Sequence, residues 1–266
     1  MARTASKSFW HKYQERYQAT QSVLCVGLDP ELHKLPLCVQ KSANPIWEFN
    51  QRIIDATAEY ACAYKPNLAF YLADGLRGME ALIQTIDYIP EEIPVILDCK
   101  VGDIGSTMSA YVNAFFGVMK VDAITLNPLM GADVLQPVLA RDNSFAFALC
   151  LTSNPSAVDF FKNASMATAV SEWINKYPAD KVGAVIGATQ SSDLKAMRSL
   201  LPHRIFLIPG VGAQGGDLQA VLRDAIHSDE QPNILVNSSR GIIYSSSGSD
   251  FASAAAKEAE RIARAR

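Results

Sequence analysis

What this chain lacks narrows its class first. None of its five cysteines forms a CxxC pair. Of the five, Cys25, Cys99 and Cys150 fall in apolar runs, which predicts buried, reduced thiols in a cytosolic protein. The histidines, His11, His33, His203 and His227, are scattered without metal-ligand spacing, so no zinc site is expected. Positive charge is not in excess: 24 Lys and Arg against 27 Asp and Glu give a net charge of −3. That balance offers no field for nucleic acid or an anionic membrane, and an anionic ligand would need a local site. No apolar run reaches the length of a membrane span. The N-terminus lacks the apolar block of a secretory signal, and its Arg, Ser and Lys only faintly suggest a transit peptide. Phe9, Trp10, Tyr13 and Tyr17, at helical spacing, fit a docked helix better. No Gly/Ser linker or shift in composition divides the 266 residues, so one domain over 1–266 is expected.

What is present is an alternation. Short apolar, β-branched runs fall at Ser22–Leu28, Ala61–Tyr64, Pro94–Lys100, Ala123–Leu126, Phe145–Leu151, Val182–Ile186, Ile205–Ile208 and Ile234–Val236. Helical patterns separate them: one starting at Asn44-Pro45, then Asp74–Tyr88, Ser106–Lys120, Asp133–Arg141, Ala167–Asn175, Ser192–Leu200 and Asp217–Ile226. A final Ala-rich helix is capped by Asp250, and residues 31–43 read as loop. Continuous apolar runs suit parallel strands buried on both faces. Eight βα units in an uninterrupted chain predict an α/β fold, a single (β/α)₈ TIM barrel. A doubly wound open sheet is the alternative, but it usually has fewer units and a Gly-rich first turn, which G-L-D-P is not. In a barrel the site gathers at the C-terminal strand ends. This chain puts Asp29, Lys65, Asp98, Lys100, Ser153 and Arg240 there.

The densest of these ends is I-L-D-C-K-V-G-D-I-G-S-T, residues 96–107. Strand alternation puts Asp98 and Lys100 on one face and Cys99 on the other. Asp103 lies past the strand end, with Thr107 a helical turn further. Neighbouring carboxylates hold Lys100 protonated, which disfavours a Schiff-base role. Lys100 also competes with any metal for the aspartate oxygens. A structural ion-pair network is the bland alternative. Against it, four alternating charges, with Lys65 the fourth, are costly to desolvate in a barrel mouth. The glycine-rich loop P-G-V-G-A-Q-G-G-D, 209–217, and N-S-S-R-G, 237–241, follow the seventh and eighth strands. Glycines admit close approach of backbone N–H groups, and Arg240 can grip two oxygens, so a phosphate site is expected there. Asp29 and Ser153 taken singly read as turn formers.

Together these residues resemble the orotidine 5′-phosphate decarboxylase family. Its signature D-x-K-x-x-D-I-x-x-T is met by Asp98, Lys100, Asp103, Ile104 and Thr107. L-D-P at 28–30, Y-K-P-N at 64–67, T-S-N-P at 152–155, P-G-V-G-A-Q-G-G at 209–216 and S-R-G at 239–241 follow in family order. Val101, where many members carry Arg or another polar residue, is a departure outside the signature. The segments 31–45 and 154–180 are similar to those of the longer bacterial subgroup. The resemblance implies decarboxylation of orotidine 5′-monophosphate (OMP) to UMP, with no cofactor and no metal. It implies a catalytic set of Lys100, Asp98, Asp103 and Lys65, in which Lys100 protonates C6. Asp29 and Lys65 would hold the ribose, Ser153 the pyrimidine amide, and Gln214 and Arg240, beside Pro209, the phosphate. Asp103, Ile104 and Thr107 would reach into a partner's site in a homodimer. Two rivals remain: a magnesium-dependent sugar-phosphate decarboxylase or aldolase with a similar D-x-K-x-x-D strand, and an inactive nucleotide-binding barrel.

Overall fold

The computed structural model describes residues 7–162, 165–187, 191–210, 218–228 and 230–265. Its strands are β1 (Leu24–Leu28), β2 (Ala63–Pro66), β3 (Ile96–Val101), β4 (Ala123–Leu126), β5 (Phe145–Leu151), β6 (Val182–Ile186), β7 (Phe206–Pro209) and β8 (Ile234–Ser238). All pair in parallel in the order β2-β1-β8-β7-β6-β5-β4-β3. Bridges Tyr64↔Val95 and Asn67↔Asp98 join β2 to β3 and close the ring. The expected (β/α)₈ barrel is therefore the observed fold.

The helices are α1 (Phe9–Thr20), α2 (Leu37–Gln40), α3 (Pro45–Thr57), α4 (Leu68–Leu72), α5 (Gly75–Tyr88), α6 (Gly105–Val112), α7 (Ala132–Leu139), α8 (Met166–Ile174), α9 (Ser191–Leu200), α10 (Leu218–Ala225), α11 (Arg240–Ile243) and α12 (Phe251–Ala263). Asn44 starts α3 as its residue type predicts, its side chain accepting from the Trp47 N–H, with Pro45 in the first turn. Several expectations are corrected. The 31–43 segment is not all loop: a 3₁₀ turn, Leu32–Lys34, and α2 lie in it. The second strand sits two residues later than its apolar run, because Lys65 and Pro66 extend it. The Ser106–Lys120 helix is α only as far as Val112 and widens to a π segment over Asn113–Val118. Asp250 occupies the N-cap position of α12, but its carboxylate accepts from Ser246 Oγ (2.6 Å) and not from the helix.

Alternation along the strands sorts the core into two layers. Leu24, Val26, Leu97, Ile124, Ala146, Ala148, Ile234 and Val236 pack outward against the helices. Cys25, Ala63, Ile96, Ala123, Phe145, Phe147, Leu207 and Leu235 form a separate cluster filling the interior. Phe9 and Tyr13 of α1 belong to that second cluster, with the Phe9 ring 4.6 Å from that of Phe145. Helix α1 lies across the N-terminal strand ends: Tyr13 donates to the Ile234 carbonyl and Lys12 pairs with Asp122 at 2.8 Å, both charges buried. The second Asp122 oxygen accepts from the Val95 N–H at 2.8 Å. The docked aromatic helix is thus a plug, and the mouth is at the opposite end. Among the described residues, no helix is long and apolar enough to cross a membrane.

A buried pair that loses one partner strands the other charge, at a cost of about 3–5 kcal/mol. Asp122→Asn and Lys12→Met should each lower unfolding stability by roughly 3 kcal/mol. The double variant should lose clearly less than the sum, since neither charge is then left alone. Urea unfolding of the four proteins measures this. Additive losses would show that the two groups do not depend on each other.

Candidate active site

The alternation that fills the barrel also arms its mouth. Two residues beyond interior Ala63 comes Lys65, beyond Ile96 comes Asp98, beyond Ala123 comes Thr125, beyond Leu207 comes Pro209, and beyond Leu235 comes Asn237. Asp29 follows interior Cys25 by two such steps. Each lies at or just past the C-terminal end of its strand, except Asp98, which is the third residue of the six-residue β3.

Asp98 stands at the centre. Its Oδ2 accepts from Lys65 Nζ at 2.8 Å, and its Oδ1 from Lys100 Nζ at 2.5 Å and Thr125 Oγ1 at 2.9 Å. Lys65 and Asp98 are nearly sealed, with side chains 5% and 11% exposed, whereas the Lys100 side chain is 50% exposed. Burial alone would push the Asp98 carboxyl up. The Lys65 and Lys100 ammoniums outweigh it and hold the group well below the usual carboxylate range. Burial likewise works against a charged Lys65, but Asp98 and then Asp29 more than offset it, so its ammonium persists above the ordinary lysine range. Cys99 donates its thiol to the Thr125 carbonyl, and burial pushes it up to about 12, which makes it a poor nucleophile.

Period 2 explains Asp98 but not the path to Lys100. Lys100 has φ +47°, and the β3–β4 register shifts between Leu97 and Val101. The predicted regular strand is therefore corrected to a bulged one, although Asp98 and Lys100 still meet.

Asp103 stands outside this cluster. Its carboxylate accepts from the Ile104 N–H at 2.8 Å, and among the described residues it makes no ion pair. The expected four-charge array is thus three charges within this chain: Lys65, Asp98 and Lys100. Ile104 and Thr107 are exposed on the same segment, Ile104 at 52%. Arg240 begins α11 at the end of β8, is exposed, and has no carboxylate partner among the described residues. Pro209 ends β7. Gln214, with most of the glycine-rich loop, lies outside the described residues.

Two glycines draw the rim together. A Cβ on Gly27 would meet Ser239 Cβ at 2.5 Å, and one on Gly187 would meet the Ser153 backbone N at 2.5 Å. Residues bearing side chains there would push the Arg240 and Ser153 loops away. Four polar atoms around the mouth are buried without a hydrogen-bond partner among the described residues: Asp29 Oδ1, Thr152 Oγ1, Asn237 Oδ1 and Ser239 Oγ. Buried polar atoms are normally paired, so this set is suited to a hydroxyl- and amide-bearing ligand. Thr152, Asn237 and Ser239 were legible as parts of T-S-N-P and N-S-S-R-G, but nothing singled out their side chains. Thr125 and Tyr244 had no signal. Tyr244 accepts from the Glu31 N–H (2.6 Å) and donates to the Asp29 carbonyl (3.5 Å), tying α11 to the loop that carries Asp29.

The sequence model of the family described as "Orotidine 5'-phosphate decarboxylase / HUMPS family" matches residues 22–256. The chain is similar to the orotidine 5'-phosphate decarboxylase of Herpetosiphon aurantiacus, 44% identical over 264 residues that cover 95% of each chain. Among solved structures it is similar to Leishmania donovani OMP decarboxylase: TM-score 0.82, 36% identity, 96% of this chain and 97% of that one. It also matches Leishmania donovani UMP synthase, with TM-score 0.84 and 38% identity over 97% of this chain; it spans 56% of that longer protein.

The ionic cluster makes stability depend on pH in a defined way. Asp98 is depressed, so its contribution is present above its unfolded value of about 3.9 and is lost as pH falls through the lower folded value. Lys65 is raised, so its contribution is present below about 10.4 and lost as pH rises through the folded value. Asp98→Asn leaves Lys65 buried without its counter-ion and should cost about 3–5 kcal/mol at pH 7. That gap should narrow as the solution is acidified below about pH 4. Urea unfolding of both proteins at pH 7 and pH 3 reads it, and an equal gap at the two pH values would contradict the assignment.

Proposed function

The chain belongs to the orotidine 5'-phosphate decarboxylase / HUMPS family, and on that premise we propose that it converts OMP to UMP and carbon dioxide without metal or organic cofactor. The observation that carries this reading is the Asp98 carboxylate gripping two ammoniums at the open end of the barrel, one sealed and one half exposed. Loss of carbon dioxide from C6 leaves a vinyl carbanion with no conjugated sink, so the barrier falls chiefly through electrostatics. A fixed ammonium at that carbon stabilises the developing charge without solvent reorganisation and then supplies the proton. Lys100 is that group in our proposal, and Asp98 with Lys65 fixes its place.

The remaining roles follow the chemistry of the rim. Asp29, with its unpaired Oδ1, and Lys65 take the ribose hydroxyls, and Ser153 takes the pyrimidine amide. Arg240, exposed and without an ion-pair partner among the described residues, grips the phosphate with Gln214 and the loop after Pro209. Binding energy from that remote phosphate can be spent in ordering the reacting end. Asp103, Ile104 and Thr107 complete the site of a second subunit. The exposure of Ile104 and Thr107, and the similar exposure of Leu129 and Met130 on the next loop, support a two-fold dimer. One barrel over the whole chain and a cytosolic location belong to the same proposal; five free thiols suit a reducing compartment. The magnesium-dependent sugar-phosphate reading is the rival, and relatives named OMP decarboxylase over nearly the full chain speak against it.

The direct test is the ultraviolet spectrum of OMP with purified protein and EDTA. Conversion to the UMP spectrum is expected, and an unchanged spectrum would sink the proposal. Lys100→Ala should fold normally, because the side chain is half in water, yet lose more than about a hundredfold in kcat, as fits removal of a general acid and stabilising cation together. A fall in melting temperature with kcat per folded molecule unchanged would return Lys100 to a structural role.

Ownership of Asp103 is tested by mixing. Lys100→Ala and Asp103→Ala homodimers, each nearly inactive, are dissociated and recombined in equal amounts. Half the dimers are then mixed, and each mixed dimer has one doubly altered site and one intact site. Recovery of roughly a quarter of wild-type activity is expected from an isologous pair. No recovery, with mixed dimers confirmed by mass spectrometry, would assign Asp103 to its own subunit's site.

A further inference from the structure

The bulge in β3 has an identifiable cause on the neighbouring strand. Between the register pairs Leu97↔Ile124 and Val101↔Leu126, three residues of β3, Asp98 to Lys100, stand opposite the lone Thr125 of β4. Consecutive N–H groups of an extended strand point in opposite directions. Here the Cys99 and Lys100 N–H groups converge, both donating to Thr125 Oγ1, at 3.0 and 2.9 Å. Convergence of this kind requires a local departure from extended backbone, and the departure is the left-handed Lys100, φ +47°. Left-handed backbone is disfavoured for a residue with a Cβ and persists only where surrounding contacts hold it.

Thr125 is equipped to hold it. A hydroxyl has one proton to give and two lone pairs to receive. Thr125 receives the two N–H groups and gives its proton to Asp98 Oδ1 at 2.9 Å, the oxygen that also meets Lys100 Nζ. Its capacity is saturated. The residue is 1% exposed, and its β-branch limits χ1, so the oxygen has little freedom to wander. One oxygen thus fixes both ends of Lys100: the backbone N–H directly, and the ammonium through the shared carboxylate oxygen.

We propose that Thr125 is a positioning residue for the decarboxylation, its hydroxyl setting the bulge that carries the Lys100 ammonium back onto Asp98. The inference rests on the reading of Lys100 as the group that meets C6. Without the hydroxyl, the Cys99 and Lys100 N–H groups lose their acceptor and β3 relaxes toward regular pairing, swinging the ammonium off its place. Substrate affinity, which resides mainly in the ribose and phosphate contacts, is left alone.

Thr125→Val keeps the branched shape and removes all three bonds, while Thr125→Ser keeps the hydroxyl. With OMP, the valine variant should lose about a hundredfold in kcat, the scale of an ångström-sized misplacement, with KM within about threefold of wild type. The serine variant should recover to within about fivefold of wild type. If the valine protein does not fold, Thr125→Cys takes its place, since a thiol fills the space but is a weak donor and acceptor. Unchanged kcat with a lowered melting temperature, or equal damage from serine and valine, would overturn the proposal. Amide hydrogen exchange at Cys99 and Lys100 reads the pin without turnover. Protection that is lost in the valine variant and kept in the serine variant supports it; protection unaffected by valine refutes it. A wild-type protein that fails to turn over OMP would sink the functional reading, and the exchange experiment would still decide the role of Thr125.

Discussion

The structure converges on a carboxylate that cannot leave its place. Asp98 is nearly sealed, and a sealed charge persists only if it is matched; here Lys65, Lys100 and the Thr125 hydroxyl match it. Each partner comes with its own strand: Lys65 with β2, Lys100 with β3 itself, Thr125 with β4. The interior packing of Ala63, Ile96 and Ala123 one step below sets the height and direction of Lys65, Asp98 and Thr125, and the bulge in β3 brings Lys100 to them. The hydrophobic layer is therefore the fixture that holds the charges in register. The charges in turn hold the Lys100 ammonium at a fixed point facing the mouth, which is the preorganisation that electrostatic catalysis needs.

The rim obeys a complementary rule. Where the centre is saturated with partners, the edge keeps acceptors unpaired among the described residues, at Asp29, Thr152, Asn237 and Ser239. It also keeps a cation, Arg240, without an ionic partner among them. Saturated groups resist movement and unsaturated ones are open to a ligand, which on the proposed function divides the work between chemistry and binding. Tyr244 links two parts of that edge, because one phenol oxygen contacts the backbone on both sides of Pro30 while its own chain position follows Arg240 by four. Gly27 serves the same closeness by leaving room for Ser239.

Much of this was legible in the order of residues. Apolar runs of strand length, separated by helical patterns, marked the barrel because burial on both faces removes polar alternation. Asp98 and Lys65 were legible as charges at the ends of such runs. The bulge was not. A left-handed position usually announces itself by glycine, and this one is a lysine held by tertiary contacts. Thr125 was equally silent, since a threonine in A-I-T-L reads as an ordinary β-former. The π segment at Asn113–Val118 escaped because its apolar residues still fit a helical pattern. The turns within 31–43 escaped because three or four residues carry no period to read. Asp103 was legible as part of the motif, while its separation from Lys100 within the chain needed three dimensions.

Helix α1 sets a problem of timing. Its Tyr13 is bonded to the carbonyl of Ile234, 221 residues further along, on β8, the last strand in chain order among the described residues. At about 5–20 residues per second, a ribosome takes roughly 10–45 s to travel between them. For that interval Phe9 and Tyr13 have no finished barrel end to enter, and their rings are exposed or engaged by something else. The element that shuts the floor of the barrel is thus synthesised before all eight strands, yet its seat is completed only with β8. The nascent chain must therefore carry this apolar face without its finished seat until β8 arrives.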